Sequence, residues 1–316
     1  VSVRSVVLVV VWSSGFVGAE LGARHAGPDT VLAWRSLATA VLLLPWLVPA
    51  VRRFSRRDWL RQAVVGLLSQ VVYLGGVFWA AAAGVPAGTS ALVTSLQPAV
   101  VLVATTRLTR RRLRPAHLAG LALGTAGVAL TALGDLRAGV AVVALALPAL
   151  AMAGLSAGTL LQDRWWAGST PPPGPTLAVQ SLVTAGSFTA VAAGAGHLAP
   201  PPTTGFWTAV AWSAMAGIGS YGVYHLVTTR DGAGRASTLL YLTPAVTAGW
   251  AAAVFGQGLR PASVAGLLVA AGAVVLLRDA PGTGRAPARD DDRTPARDVR
   301  PVRPRPPGPA RTRTPR

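Results

Sequence analysis

The chain has 316 residues, of which 52% are apolar and only 13% charged, with a formal net charge of +18 and a mean hydropathy of +0.48. The charged share is about half that of an ordinary globular domain, and no Asp, Glu, Lys, Arg or His lies between Arg61 and Arg107. At about 20 apolar residues per bilayer crossing such a run holds two spans, which excludes a soluble protein and requires a polytopic helical membrane protein. The absence of Cys excludes disulfides, thiolate metal sites and thiol catalysis together.

Hydropathy, interrupted by Gly, Pro and charge clusters, predicts spans over 5–22, 31–50, 62–83, 87–106, 116–133, 138–160, 176–196, 205–228, 233–256 and 261–277. The first reads as a membrane helix rather than a signal peptide, since nine further spans follow it. The loop after the second span carries Arg52, Arg53, Arg56, Arg57 and Arg61, and the loop after the fourth carries Arg107, Arg110, Arg111, Arg112 and Arg114. With Arg4, Arg164, Arg230 and Arg235 they face Arg24, Arg137 and Arg260 on the other side. The positive-inside rule then places both termini in the cytoplasm. Residues 279–316, rich in Arg, Asp and Pro, cannot bury enough surface to offset chain entropy and are expected to be a disordered cytoplasmic tail.

The chain repeats itself. Arg114-Pro115-Ala116-His117-Leu118-Ala119-Gly120-Leu121 returns at an offset of 146 as Arg260-Pro261-Ala262-Ser263-Val264-Ala265-Gly266-Leu267, and Pro98 meets Pro244 at the same offset. Gly66, Ser69 and Tyr73 match Gly217, Ser220 and Tyr224 at an offset of 151, and Arg35-Ser36-Leu37 matches Gln180-Ser181-Leu182. Two units of five spans follow, 1–136 and 137–278. Because five is odd, the second unit crosses in the opposite sense, an inverted-topology repeat.

In this order the motifs resemble the drug/metabolite transporter superfamily, specifically its ten-helix type with two EamA domains. The resemblance covers about residues 5–277. It rests on Trp12-Ser13-Ser14-Gly15-Phe16-Val17, on Pro28 with Arg35, and on Gly84 to Gly88 leading into Ala91-Leu92-Val93-Thr94-Ser95-Leu96-Gln97-Pro98. The series returns through Leu239-Leu240-Tyr241-Leu242-Thr243-Pro244. One departure stands out: where family members usually carry a Glu after the fourth and ninth spans, this chain has Arg111 and Gln257. The resemblance implies a carrier in the bacterial cytoplasmic (inner) membrane, exporting amino acids, metabolites or drugs by alternating access.

Polar groups inside spans are costly and mark function. Arg35 is the one charge of the second span, and its fork suits a carboxylate or phosphate, although an Arg so near a helix start can also snorkel to the surface. Gln180 stands at the matching place in the seventh span. These two, with Tyr73, Tyr224 and Gln97, are the expected substrate-binding residues. Glu20 and His225 are candidates for proton coupling, although the i,i+4 spacing of Glu20 and Arg24 favours a surface pair and His225 fits a headgroup contact as well. Pro98 and Pro244 break their helices and can free carbonyls toward a cavity.

A membrane channel or a non-transporting scaffold is the alternative to a carrier. A membrane-embedded enzyme fits less well, since the loops hold only scattered Asp29, Asp58, Asp135, Asp163 and Asp231, without ligand spacing. No metal, no cofactor and no specific nucleic acid is expected. The expected partners are a small-molecule solute and the lipid bilayer, with a homodimer left open.

Overall fold

The computed structural model describes residues 3–108, 110, 115–166, 171–231 and 239–256, with isolated positions 261, 264, 265, 268, 269 and 272, all within one unit, Val1–Thr283. The tail, Arg111, Gln257 and most of the expected tenth span lie outside these residues.

Every element among the described residues is helical. In chain order they are α1 (Val3–Ala23), α2 (Pro28–Leu43), α3 (Leu47–Arg53), α4 (Arg56–Gly66), α5 (Tyr73–Ala82), α6 (Ala87–Thr94), α7 (Gln97–Leu108), α8 (Pro115–Arg137), α9 (Val142–Trp165), α10 (Pro173–Gly194), α11 (Thr204–Asp231) and α12 (Thr243–Phe255). A short 3₁₀ turn joins α2 to α3, and a π-helical turn, Leu67–Val72, joins α4 to α5. Seven continuous helices among the described residues are long and apolar enough to cross a membrane: Val3–Ala23, Pro28–Arg53, Arg56–Ala82, Ala87–Leu108, Leu118–Arg137, Val142–Trp165 and Pro173–Gly194. They coincide with the first seven spans expected from hydropathy. The 28 residues of α11 reach about 42 Å at 1.5 Å per residue, again enough for a crossing.

Local chemistry sets several boundaries. α2 opens with Pro28, whose missing N–H costs nothing in a first turn, and with Asp29, whose charge suits the positive end of the helix dipole. α5 gives way to Gly84 at φ +82° and α12 to Gly256 at φ +66°, left-handed backbone that favours Gly. The loop after α10 is tied back to α2: Thr30 Oγ1 donates to the His197 carbonyl at 2.8 Å, Trp34 Nε1 to that of Leu198 at 2.9 Å, and His197 Nδ1 lies 2.6 Å from Asp29 Oδ2.

Packing follows a paired plan. α2 lies against α10 and α6 against α12; α1 contacts α11 and α12, while α9 contacts α5, the π turn, α6 and α7. Close approach depends on glycine. A Cβ on Gly76 would stand 2.6 Å from the Leu147 carbonyl, and one on Gly154 2.7 Å from that of Leu68, so α9 can touch α5 and the π turn backbone to backbone only with Gly at these places. The main apolar cluster is centred on Phe16, Val31, Leu32, Phe78, Phe188 and Phe206.

Candidate functional site

Arg35 sits two turns into α2, roughly 10 Å along the helix from Pro28. Its side chain does not reach back to the helix start. It is 6% exposed, and Nη2 donates to the Ser213 carbonyl of α11 at 3.2 Å. The guanidinium carbon is 5.6 Å from the centre of the Phe78 ring, within cation–π range. A Cβ on Gly217 would lie 2.9 Å from Nη2, so this glycine gives the fork its room. Nε has no hydrogen-bond partner.

This cation faces a cavity with a free volume of about 80 Å³. Trp12 and Phe16 of α1 form one wall, and Tyr221 of α11 and Tyr73 of α5 another. Ser69 and Gln70 reach it from the π turn. An i→i+5 turn holds one residue more than an α turn, and such bulges gather at functional sites because they re-aim side chains without breaking the helix. The lining therefore joins residues from both sequence halves around one positive charge.

A second polar cluster answers the first. Gln180 stands at the same register of α10, counted from Pro173, as Arg35 does of α2, counted from Pro28. Its Nε2 donates to Gln62 Oε1 at 2.8 Å and reaches Gln162 Oε1 at 3.5 Å, while its Oε1 accepts from Gln70 Nε2 at 3.3 Å. Gly66 lies against it, a Cβ there falling 3.2 Å from the Gln180 Cα. At the repeat offset of 151, Gln62, Gly66 and Gln70 correspond to Ser213, Gly217 and Tyr221, the three residues around Arg35. Arg35 and Gln180 thus each pack against a glycine from the other half.

Of the five residues expected to bind substrate, Arg35 and Tyr73 meet at the cavity. Gln180 connects to it only through Gln70. Tyr224 does not line it; its ring meets Trp12 at 5.7 Å with a tilted geometry, one turn beyond Tyr221, which meets the same Trp12 at 5.9 Å and does line the cavity. Gln97 also points elsewhere, its Nε2 donating to Thr159 Oγ1 of α9 at 3.3 Å. Glu20 lies 3.2 Å from Arg24, whose guanidinium stacks over Phe255 at 4.0 Å. The His225 side chain lies outside the described ones. Pro98 and Pro244 each occupy the first turn of a new helix, after the interruptions at Ser95–Leu96 and Tyr241–Leu242. Gln62, Gln162 and Ser213 carry the geometry without any motif of their own; the offset of 151 that pairs Gly66 with Gly217 also pairs Gln62 with Ser213, whereas nothing in the sequence singles out Gln162. Among the described residues no His, Asp and Glu group has the arrangement of a metal site.

Residues 4–133 match the model of the EamA-like transporter family. The chain carries an EamA-like transporter domain. It is similar to a solved crystal structure, described only as a protein, at a TM-score of 0.61 and 19% identity, with 87% of this chain and 95% of that one covered. At that identity the likeness speaks for the fold alone. No curated protein matches the sequence. The span-length helices make this a multi-pass membrane protein, and over residues 4–133 it is similar to the EamA-like transporter family.

Proposed function

We propose that this EamA-like chain is a secondary transporter that moves small anionic solutes by alternating access between two inverted repeats, 1–136 and 137–278. The observation that carries the reading is Arg35: a buried guanidinium with a free Nε, facing an aromatic cavity built from both sequence halves. A charge at mid-helix in a span costs about 3 kcal/mol or more. A side chain so placed, with neither surface access nor a hydrogen-bond partner at Nε, is one whose partner arrives from outside. A carboxylate or phosphate supplies the lone pairs that Nε and the fork need.

The paired packing of α1 with α11 and of α9 with α5, and the answering Gln180 cluster, support the inverted repeat. No phosphate-cradling Gly-Lys-Ser/Thr motif occurs in the sequence, so the energy source is an ion gradient or the solute's own gradient. We place the carrier in the bacterial cytoplasmic membrane with both termini inside, working as an exporter.

The test is counterflow in proteoliposomes. Saturable counterflow of an anionic solute identifies a carrier, whereas non-saturable flux identifies a channel. Arg35→Ala is expected to abolish flux with insertion intact. Arg35→Lys keeps the charge but loses the fork, and raises the apparent KM more than it lowers expression. Wild-type flux in Arg35→Ala ends the assignment.

A further inference from the structure

From the charge balance of the cavity we infer that its solute is a monoanion with an apolar body and no amino group: a 2-oxo acid or an aryl or alkyl monocarboxylate rather than a free amino acid, a dicarboxylate or a phosphate ester. This narrowing rests on the transporter reading above. Arg35 is the single charged residue among the described residues that line the cavity. The other polar groups there are neutral hydroxyls and an amide, including Tyr73, Tyr221, Ser69 and Gln70.

Each class of solute meets this arrangement differently. One carboxylate placed on Nε and the free side of the fork cancels the buried charge and satisfies the unpartnered donor. A dianion brings a second negative charge that no cation answers. An α-ammonium group, one carbon from the carboxylate, is carried into the field of the guanidinium with no acidic residue on the lining to receive it. In a site shut off from water this repulsion is weakly screened. The Ser213 carbonyl, the nearest acceptor to the fork, is already taken by Nη2. A neutral solute leaves the guanidinium as costly as it was when empty.

The walls fix the rest of the molecule. Trp12, Phe16, Phe78, Leu74 and Val77 surround the polar end with apolar surface, which suits a branched or aromatic body. A carboxylate head needs only the room of a few waters, and water takes roughly 30 Å³ each in the liquid, so the free volume of about 80 Å³ holds the head beside Arg35. The body then lies along the rings.

The experiment is binding calorimetry on the full-length protein in detergent with matched pairs that differ only in the charged groups: 4-methyl-2-oxopentanoate against leucine, phenylpyruvate against phenylalanine, with glutarate as the dianion. The oxo acids are expected to bind at least tenfold more tightly than the amino acids and than glutarate, and to lose that binding in Arg35→Gln. Arg35→Lys, which keeps the positive charge and guards against a misfolded neutral variant, is expected to bind the oxo acids more weakly while preserving the preference over the amino acids. Leucine or glutarate binding as tightly as the oxo acids overturns the monoanion assignment and leaves the carrier standing. Absence of binding by all of them to the wild type overturns it as well. Absence of counterflow for any anionic solute, with Arg35→Ala indistinguishable from wild type, overturns the transporter reading itself.

Discussion

Arg35 and Gln180 hold the same register on facing helices, yet one is left with an open donor and the other is closed into an amide network. That difference separates their expected mutant behaviour. Gln180→Leu removes the partner of buried Gln62 Oε1, and a stranded buried acceptor costs about 2 kcal/mol, so the variant is expected to melt several degrees lower in detergent. The double variant Gln62→Leu/Gln180→Leu removes both partners and should lose less than the two single losses added. A strictly additive cycle would show that the two amides are not coupled. Around Arg35 the sensitive neighbour is Gly217. Its Ala variant places a methyl 2.9 Å from Nη2, against the far end of a side chain that can shift, so insertion should survive. A shift of tenths of an ångström in a binding fork corresponds to roughly a tenfold rise in apparent KM, short of the hundredfold that a full ångström can cost. An unchanged KM in Gly217→Ala would mean that the fork does not hold the solute.

At the scale of elements, the π turn Leu67–Val72 is the part of the site that hydropathy cannot reveal. The apolar run from Leu67 to Val72 looks the same whether its hydrogen bonds run to the fourth or the fifth residue, but only the wider turn sets Ser69 and Gln70 toward the cavity while α4 and α5 keep their own packing faces. Deleting Leu67, the exposed residue of the turn, should yield an unbroken α-helix that inserts normally but displaces both polar side chains. Anion counterflow should then fall severely, and a deletion with wild-type kinetics would show the turn to be ornamental. The same limit explains which site residues could be read in advance. Arg35 is visible because a charge in an apolar span has no other explanation than function or snorkelling, and the prolines are visible because they cannot donate to a ladder. Tyr221 and Tyr224 are three residues apart on one helix face and both meet the Trp12 ring of α1, so which of them lines the cavity depends on tertiary packing that no local pattern reports. Gln62 and Gln162 look like ordinary residues near helix ends until tertiary packing brings them to Gln180.

At the scale of the whole molecule, the inverted repeat makes a claim about sidedness that mutations in the cavity cannot test. The reciprocal contacts, Arg35 with Ser213 and Gln180 with Gln62, join residues matched between the halves, and the proposed five spans per half would place those halves in opposite orientation across the bilayer. On the proposed topology the arginine asymmetry would put Arg57 and Ala280 on the cytoplasmic side and Pro200, between α10 and α11, outside. The sequence contains no cysteine, so each introduced thiol is unique and needs no background correction. In intact cells a membrane-impermeant maleimide should label Pro200→Cys and leave Arg57→Cys and Ala280→Cys unlabelled until the cells are broken. Removing everything after residue 282, a segment whose Arg-, Asp- and Pro-rich composition is expected to bury little apolar surface, is predicted to change neither pattern nor flux. Protection of both Pro200→Cys and Arg57→Cys would put the two loops on one side of the membrane and dissolve the inverted repeat. Labelling of Arg57→Cys in intact cells with Pro200→Cys protected would instead keep the repeat and reverse the whole molecule, turning the proposed exporter's cytoplasmic face toward the outside.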